Sequence, residues 1–461
     1  MTQSSIAHPR GNLLLVSEAG AGHLNPILGL AEVLRRRGHG IRVAAIPRAR
    51  PQVSAAGFEF VPLFPAWDSI TESERQGKTG PGRLVRRIPG AADVLANSAV
   101  QRQFFDYLKR GELEQFLAPL EIDAVLVDAD IPSVALAAHA SGLPTIVLRT
   151  SLSPARRIDA FPLSSDRAPA INPWQRAACA ARWAANRAGW GLARRLLIRS
   201  GGAHAQLSAA ELTRHFGYRS RELDFNTSYF APILGLPELI LCPRGFELPS
   251  PCGHRETYSA CWLKASFDRA SLDGAGFPRE LLDDTRPLIY CSLGTRGHRS
   301  GGSTEFYRAV LAAMRRFPHW QLVLVAPGLD RSRVGPIPDG TVIVDWAPQL
   351  ALLKRTHLMI THGGLNSIKE CIYAGVPMAV VPLRFDQPGN AMRVAHHRAG
   401  VVLELRGITE DAVADGLRTL DGDPTFRTAL RGLQAEFVSA EDSALGLSFI
   451  EDAVARHLQP H

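Results

Sequence analysis

The chain has 461 residues, more than one hydrophobic core usually supports, so two domains are expected. Hydrophobic residues make up 46% and charged residues 21% of the chain, which is ordinary for a soluble globular protein. The net charge of +8 suits an anionic ligand or a membrane surface, but no nucleic-acid motif accompanies it, so nucleic acid is not an expected partner.

The cysteines and the first residues favour a reducing compartment. The six cysteines form no C-x-x-C pair and no zinc-binding spacing, and they read as reduced thiols. The opening residues, MTQSSIAHPRG, lack the layout of a signal peptide, and no run approaches the roughly 18 apolar residues of a membrane span. We therefore expect a cytoplasmic protein.

The chain opens with a strand–helix–strand pattern. Residues 12–18 (NLLLVSE) predict a buried strand, and residues 20–23 (GAGH) turn into a helix with Pro26 in its first turn and Gly38 beyond its end. The next strand is predicted at 41–46. The glycine pattern is G-x-G-x-x-N rather than G-x-G-x-x-G, and no acidic residue ends the second strand, so dinucleotide binding is not expected.

Two polar residues follow strands of this first half. His23 lies at the tip of the first strand, where it is either a general base or a surface residue that caps the helix. Residues 123–128 (DAVLVD) predict a strand ending at Asp128, and because parallel strand tips share one edge, Asp128 can reach His23 and orient it. Two alternatives stay open: a D-x-D metal site formed with Asp130, and a helix N-cap before Pro132, which Asp130 can also provide.

Residues 174–199 contain three tryptophans, six arginines and no acidic residue. Trp183, Trp190 and Leu197 recur every seven residues and share one helical face. The predicted helix packs its aromatic residues into the first domain, lines a substrate pocket, or lies on a membrane surface. The sequence leaves these alternatives open.

The second half carries the most distinctive stretch, residues 346–387, which read WAPQLALLKRTHLMITHGGLNSIKECIYAGVPMAVVPLRFDQ. Trp346 ends a strand predicted at 341–345 and offers a flat face for stacking a base or a sugar ring. A buried strand at 358–361 then turns through glycines into a helix, whose N-terminus favours phosphate.

The same stretch supplies polar side chains around that turn. His362, Asn366 and Ser367 add donors at the phosphate position, with Asn366 and Ser367 expected to open the helix. Asp386 and Gln387 follow the next strand and provide acceptors for sugar hydroxyls. An open α/β sheet binds a nucleotide with a polar attachment in this way, at the carboxyl ends of its strands.

The stretch resembles the donor-binding signature of family 1 glycosyltransferases, in which W-x-P-Q, H-x-G-x-N-S, a following Glu and a final D/E-Q hold a nucleotide sugar. The matching residues are Trp346, Ala347, Pro348, Gln349, His362, Gly364, Asn366, Ser367, Glu370, Asp386 and Gln387. Gly363 and Leu365 stand where plant members have Cys and Trp. The sequence DQPGNAMRVA is more similar to bacterial enzymes that glucosylate carotenoids or other lipophilic products.

The resemblance implies the GT-B architecture: two Rossmann-like, doubly wound α/β domains that face each other across a cleft. The predicted divisions are an acceptor-binding domain at 1–255, a linker at 256–285, a nucleotide-sugar domain at 286–440, and a last helix at 441–461 that returns to the first domain. The acceptor here is the molecule that receives the sugar.

The resemblance also assigns roles to residues. G-H-x-N-P matches the position of the family's catalytic histidine, so His23 would act as general base with Asp128 as its partner. Trp346 would stack the base, Ala347 would pair with it through its backbone, and Glu370 would hold the ribose. The remaining implied donor-binding residues are Gly22, Ser292, Thr295, Gln349, His362, Gly364, Asn366, Ser367, Asp386 and Gln387.

The expected reaction is inverting transfer without a metal or other cofactor, from UDP-glucose first and a TDP-deoxysugar second, to a lipophilic small molecule. The protein is expected to be a monomer or weak homodimer, with peripheral membrane contact as an open alternative. Two other classes remain: a nucleotide-sugar epimerase of the same fold, and a non-catalytic donor-binding subunit. The presence of both His23 and Asp128 argues against the subunit.

Overall fold

The computed structural model describes residues 10–64, 98–199, 212–217, 235–249, 260–262, 276–294, 302–443 and 445–458. The first of its two sheets orders its described strands β3-β2-β1-β4-β5-β6-β7, all parallel. These strands are β1 Asn12–Val16, β2 Gly40–Ala45, β3 Glu59–Pro62, β4 Ala124–Asp128, β5 Thr145–Arg149, β6 Glu238–Ile240 and β7 Ala260–Trp262.

The second sheet repeats the same winding, in the order β10-β9-β8-β11-β12-β13, again all parallel. Its strands are β8 Leu288–Ser292, β9 Gln321–Val325, β10 Thr341–Val344, β11 Thr356–Thr361, β12 Met378–Val380 and β13 Gly400–Val402. The strand order reverses between β1 and β4 in one sheet and between β8 and β11 in the other. Ligands of doubly wound sheets bind at these reversal points, so the fold places two candidate subsites.

Helices cover the faces of both sheets. The described α-helices are α1 Ala21–Arg36, α2 Arg50–Ala55, α3 Ser98–Lys109, α4 Glu112–Leu117, α5 Pro132–Ala140, α6 Pro173–Arg199, α7 Ser303–Met314, α8 Gln349–Leu353, α9 Leu365–Ala374, α10 Gln387–His396, α11 Glu410–Gly422, α12 Pro424–Asp442 and α13 Leu445–Leu458. None of these helices combines the length and apolarity needed to cross a bilayer. The predicted fold class of two Rossmann-like α/β domains is confirmed.

The strands of the first sheet are apolar along their length because both faces of the sheet are covered. In β1, Leu13 and Leu15 pack into one core with helices α1 and α13, whereas Leu14 and Val16 pack into the opposite core with α3 and α5. This two-sided burial explains why the sequence shows continuous apolar runs rather than alternation.

The predicted division of the chain needs one correction. Strand β7 lies inside the predicted linker of 256–285 and pairs with β6, so the first sheet extends beyond residue 255. Sequence reasoning also missed β3, which pairs with β2 at the other edge. Both are short edge strands of three or four residues, and such strands carry too few side chains to show a period.

The last helix, α13, returns to the first domain as predicted. Its Ile450 and Val454 are fully buried in the core that also holds Leu13 and Leu15. Arg37, at the end of α1, places its Nε 2.7 Å from a carboxylate oxygen of Glu451 on α13. The C-terminal end of the chain therefore stabilises the first domain.

The two domains share buried contacts along α9 and α10. Lys369 of α9 is buried and donates from Nζ to the carbonyl of Leu241 in the first domain, at 2.6 Å. Arg393 of α10 pairs with Glu247, and both side chains are almost fully buried. A buried charge is stable only when it is paired and hydrogen-bonded, so these contacts fix the relative position of α9, α10 and the first domain.

Helix α6 corresponds to the segment rich in tryptophan and arginine. Trp183 is buried and its Nε1 donates to the carbonyl of Ala160 at 2.9 Å, which supports the interpretation that the helix packs on the first domain. Trp174 is 86% exposed at the start of the helix. The side chains of Trp190 and Leu197 lie outside the described residues.

Candidate active site

His23 and Asp128 lie together at the point where the first sheet reverses its strand order. Asp128 is the last residue of β4 and is fully buried, while His23 lies in the first turn of α1 with its side chain 27% exposed. The Nδ1 atom of His23 is 3.0 Å from Oδ2 of Asp128. Thr150, just beyond β5, places its Oγ1 3.1 Å from the same Nδ1. Sequence reasoning did not single out Thr150.

Asp128 is held by more than His23. The backbone N–H of Glu18 donates to Oδ2 at 3.2 Å, and that of Asp130 donates to Oδ1 at 3.0 Å. Burial alone would raise the pKa of Asp128, but the charge of His23 and these hydrogen bonds lower it overall. Asp128 is therefore a fixed carboxylate that orients the imidazole and stabilises its protonated form.

The structure corrects the N-cap alternative at Asp130. The N-cap of α5 is Ile131, and no side chain caps that helix. The carboxylate of Asp130 instead lies 3.3 Å from Nε2 of His23. Both ring nitrogens of His23 therefore face a carboxylate, one from each end of the D-x-D sequence.

This double contact sets the charge of His23. Burial would lower the pKa of the imidazole, but Asp128 and Asp130 together raise it to about 10. Burial raises the pKa of Asp130 to about 7, against the opposing charge of His23. The resting site thus holds an imidazolium between two acidic groups, one of which can take up a proton near neutral pH.

His23, Asp128 and Asp130 are also the residues that a D-x-D metal site would use, since their ligand atoms lie within 4.8 Å of one another. Both oxygens of Asp128, however, already accept hydrogen bonds from N–H groups. Mg²⁺ and Ca²⁺ need about six or more oxygen ligands, and this cluster supplies two carboxylates and a nitrogen. The residues fit a shared proton better than a hard cation.

In the second domain, His362 follows β11 at the other reversal point. A Cβ on Gly364 would lie 2.6 Å from Nε2 of His362, and a Cβ on Gly294 would lie 2.5 Å from Cε1 of the same ring. The two glycines therefore leave the space that the ring fills. Burial lowers the pKa of His362 to about 4, with a hydrogen bond to the backbone of Ser292 opposing that shift, so the ring is neutral.

His362 also retains hydrogen-bonding capacity. Among the described residues, its buried Nδ1 has no partner. Buried polar atoms are almost always paired, so an unpaired nitrogen beside a helix N-terminus suits a ligand such as a phosphate oxygen. Ser292 lies at the end of β8 with its Oγ accepting from the N–H of Gly294 at 3.2 Å. Thr295 lies outside the described residues.

Helix α9 begins differently from the prediction. Its N-cap is Gly364, without a side-chain cap, and the helix starts at Leu365, so neither Asn366 nor Ser367 caps it. Asn366 instead donates from Nδ2 to the carbonyl of Gly22 at 2.6 Å, across the two domains. The N-terminus of α9 therefore contacts the residue next to His23.

The sequence of α1 explains why that carbonyl is available. The helix begins at Ala21, so Pro26 lies inside it rather than in its first turn. Proline has no N–H, and the residue four positions earlier, Gly22, loses its usual helical partner. Asn366 supplies a donor in its place.

The residues expected at the base and ribose form one network. Gln349 donates from Nε2 to Glu370 Oε2 at 2.5 Å and to Ser367 Oγ at 3.3 Å. Its Oε1 accepts from the hydroxyl of Tyr290 at 3.2 Å, a residue that sequence reasoning missed. Trp346, three residues before Gln349, is 46% exposed, whereas Ala347 is buried. An exposed indole offers a flat face on which a base can stack.

The two residues expected at the sugar behave differently from each other. Asp386 accepts from Asn390 Nδ2 at 3.0 Å, and burial raises the pKa of Asp386 although the nearby charge of His23 opposes this. Gln387 accepts through Oε1 from the backbone N–H groups of Leu383 and Arg384, at 2.9 and 3.0 Å. Its oxygen is thus engaged by the loop, and the prediction that it accepts from sugar hydroxyls is corrected: only its NH₂ group remains as a donor.

Asn390 is a further residue that the sequence analysis missed. It is fully buried and donates from Nδ2 both to Asp386 and to the carbonyl of Gly363 at 3.1 Å. It therefore joins the sugar-side carboxylate to the glycine turn. Its position four residues after Asp386, on the same helix face, was the available signal.

The fold and the paired sites define a class. Two Rossmann-like domains, one presenting a histidine–carboxylate pair and the other a glycine turn with a helix N-terminus and an exposed tryptophan, form the GT-B architecture of glycosyltransferases. Residues 290–434 match the family described as UDP-glucoronosyl and UDP-glucosyl transferase. The protein is a glycosyltransferase whose second half is similar to family 1 enzymes, the family that the motif resembles.

Curated relatives are glycosyltransferases, and the solved structures agree with the fold. The chain is 29% identical to zeaxanthin glucosyltransferase of Pantoea ananas over 388 residues, covering 81% of this chain and 82% of the relative. It is 35% identical to oleandomycin glycosyltransferase of Streptomyces antibioticus over 158 residues, 33% of this chain and 36% of that one. The crystal structure of the kitacinnamycin glycotransferase superposes with a TM-score of 0.66 at 21% identity, over 98% of this chain and 99% of that one.

Proposed function

We propose that the protein is an inverting, metal-independent glycosyltransferase that moves a sugar from a UDP-sugar, glucose first, to a hydroxyl of a lipophilic small molecule. His23 acts as the general base through Nε2, and Asp128 orients it through Nδ1. The observation that carries the proposal is the contact between Gly22 and Asn366, because it brings the base within reach of the donor helix.

The proposed reaction follows from this placement. The acceptor hydroxyl donates its proton to Nε2 of His23 while its oxygen attacks the anomeric carbon from the face opposite the leaving diphosphate. The negative charge of the leaving group is met by the N-terminus of α9 and by His362, which is neutral and acts as a hydrogen-bond donor. Preorganised N–H groups of this kind can stabilise a diphosphate without a metal ion.

The nucleoside is expected on the exposed face of Trp346, with Glu370 accepting from the ribose hydroxyls. UDP-glucose is the first donor to test, because the matching family is described as UDP-glucoronosyl and UDP-glucosyl transferase and the zeaxanthin relative is a glucosyltransferase. A TDP-sugar is the second, since the fold neighbour VinC was crystallised with DTDP. The lipophilic acceptor class rests on the zeaxanthin and oleandomycin relatives.

The experiment is a screen of UDP- and TDP-sugars against aromatic, isoprenoid and macrolide acceptors, read as a mass increase of one sugar. The wild-type protein is compared with His23→Ala at matched concentration. We expect His23→Ala to bind UDP as the wild type does and to transfer at least about a hundredfold more slowly, the scale of lost general-base assistance. Unchanged turnover in His23→Ala would refute the assignment of the base.

The same screen separates the rival classes. An epimerase would convert the nucleotide sugar with no acceptor present, which nuclear magnetic resonance of the sugar detects. A donor-binding subunit would bind UDP, measured by calorimetry, and transfer nothing to any acceptor in the panel. Product stereochemistry at the anomeric carbon then decides between inversion and retention.

A further inference from the structure

Asp130 has no role in the proposed reaction, although its carboxylate contacts the nitrogen that the acceptor must use. Oδ2 of Asp130 lies 3.3 Å from Nε2 of His23, while Asp128 and Thr150 occupy Nδ1. The acceptor hydroxyl and the carboxylate of Asp130 therefore compete for the space beside Nε2 of the imidazole.

The position of Asp130 is fixed by the backbone. Its own N–H donates to Asp128 Oδ1 at 3.0 Å, and the N–H of Ile131 donates to the carbonyl of Asp128 at 2.9 Å. These two bonds form a tight turn between β4 and α5. The side chain of Asp130 is 22% exposed, so solvent reaches it. The contact with Nε2 thus arises from a rigid turn and stays accessible to a substrate.

We propose that Asp130 is a positioning residue that covers Nε2 of His23 when no acceptor is bound and yields this place to the acceptor hydroxyl, so that water is not activated against the bound nucleotide sugar. The inference rests on the proposed function of His23 as the base. An uncovered neutral imidazole beside an activated sugar would promote hydrolysis, and excluding such side reactions is a general requirement of group-transfer sites.

The proton balance of this step is simple. In the resting site the protonated Nε2 forms an ion pair with the carboxylate of Asp130. When the acceptor enters, that proton passes to Oδ2 of Asp130, and the imidazole becomes neutral with its Nε2 lone pair free. The acceptor hydroxyl gives its proton to Nε2 as its oxygen bonds to the sugar and the bond to the diphosphate breaks. Asp130 afterwards releases its proton to solvent, so one proton leaves per turnover.

The charges around His23 support this exchange. Glu18 approaches from the turn after β1, Asp128 and Asp130 from the end of β4, Arg149 from β5, and Asp386 from the second domain. Burial raises the pKa of Asp130 to about 7, so its carboxyl can hold a proton under neutral conditions. Of these groups, Asp128 and Asp130 contact the ring of His23.

The test compares three variants. Asp130→Ala removes both the negative charge and the cover on Nε2, whereas Asp130→Asn removes the charge and keeps a polar group of the same size. Glu18→Gln is the matched control, because it also removes one negative charge near His23 without exposing Nε2. Circular dichroism confirms that each variant is folded.

The first measurement is the titration of the His23 imidazole by nuclear magnetic resonance, assigned with His23→Ala and run in EDTA without substrates. We expect a wild-type pKa well above the usual 6.5, lowered by about one unit or more in Asp130→Ala and Asp130→Asn, and by less in Glu18→Gln. A His23 pKa that is ordinary in the wild type, or unmoved in Asp130→Ala, overturns the inference whether or not a donor is known. Selective broadening of His23 by added Mn²⁺ also overturns it, because a cation would then occupy the cluster.

The second measurement is hydrolysis of UDP-glucose, or of whichever nucleotide sugar the wild type uses, with no acceptor present. We expect hydrolysis to rise at least about tenfold in Asp130→Ala and to stay near the wild-type rate in Glu18→Gln. A lowered His23 pKa with unchanged hydrolysis in Asp130→Ala would show that Asp130 only tunes charge, and would refute the covering role. Absence of transfer by the wild type with every donor and acceptor would instead count against the proposed function.

Discussion

Asp128→Asn is the substitution whose effects can be worked out most fully from the structure. The two oxygens of Asp128 accept from the N–H groups of Glu18 and Asp130 and from Nδ1 of His23, and the side chain is fully buried. An asparagine has one oxygen and one NH₂ group. Whichever way the amide turns, its NH₂ group faces an N–H donor, so at least one buried donor loses its acceptor.

The loss has a structural and a catalytic part. A buried donor without an acceptor costs about 1–3 kcal/mol of unfolding free energy. The imidazolium that forms during transfer also loses the carboxylate that stabilises it, so we expect kcat to fall by about 10²- to 10⁴-fold. The apparent affinity for the nucleotide sugar should stay within about threefold, because the proposed donor-binding residues other than Gly22 belong to the second domain.

The assay is steady-state transfer with UDP affinity measured separately by calorimetry, and the control is Asp123→Asn. Asp123 precedes β4 at its opposite end and accepts from the backbone N–H of Asn12 at 2.6 Å, so its loss also removes a carboxylate from a backbone donor. We expect Asp123→Asn to lower the melting temperature but leave kcat near the wild-type value. A folded Asp128→Asn protein with wild-type kcat, or an equal loss of kcat in Asp123→Asn, would refute the reasoning.

Three other predictions concern the donor side. Gly364→Ala should displace the ring of His362, whose Nε2 would lie 2.6 Å from the new Cβ, and calorimetry should show UDP binding weakened at least about tenfold. Gly422→Ala is the control, because a Cβ there meets nothing within 4 Å. Equal UDP affinities of the two variants would contradict the steric argument. Trp346→Ala should weaken UDP binding by about 1–3 kcal/mol, the scale of base–aromatic stacking, whereas Trp346→Phe should keep most of it; an unchanged dissociation constant would place the base elsewhere. Transfer should continue in EDTA, and a loss that Mg²⁺ or Mn²⁺ restores would revive the metal alternative.

The sequence could predict the positions of the main chemical groups because they follow from strand pairing. Asp128 ends an apolar run, His362 directly follows one, and His23 lies in the first turn of the helix that follows another. Parallel strands deliver their carboxyl ends to one edge, so the register of β1 with β4 brings the turn that leads to His23 close to Asp128. The match of 346–387 to a known motif added the roles, which periodicity alone could not supply.

The directions of side chains beyond those strand ends could not be predicted. Asp130 faces Nε2 of His23 because its backbone N–H donates to the carboxylate of Asp128. Secondary-structure propensity does not predict this hydrogen bond. The oxygen of Gln387 is engaged by the loop N–H groups of Leu383 and Arg384, which depends on how that loop closes in three dimensions. These contacts arise from tertiary packing after the turn, where local sequence patterns carry little information.

The proline of the G-H-x-N-P motif in the first domain is explained by a contact with the second domain. Read alone, Pro26 suggested the first turn of a helix, yet α1 begins at Ala21 and Pro26 lies within it. The proline therefore leaves the carbonyl of Gly22 without its helical donor, one residue before His23. Asn366 of the donor motif provides that donor. Since a carbonyl bonded within its own helix would be less available to a partner, Pro26 in the first domain and Asn366 in the second together join the first turn of α1, which carries His23, to the N-terminus of α9.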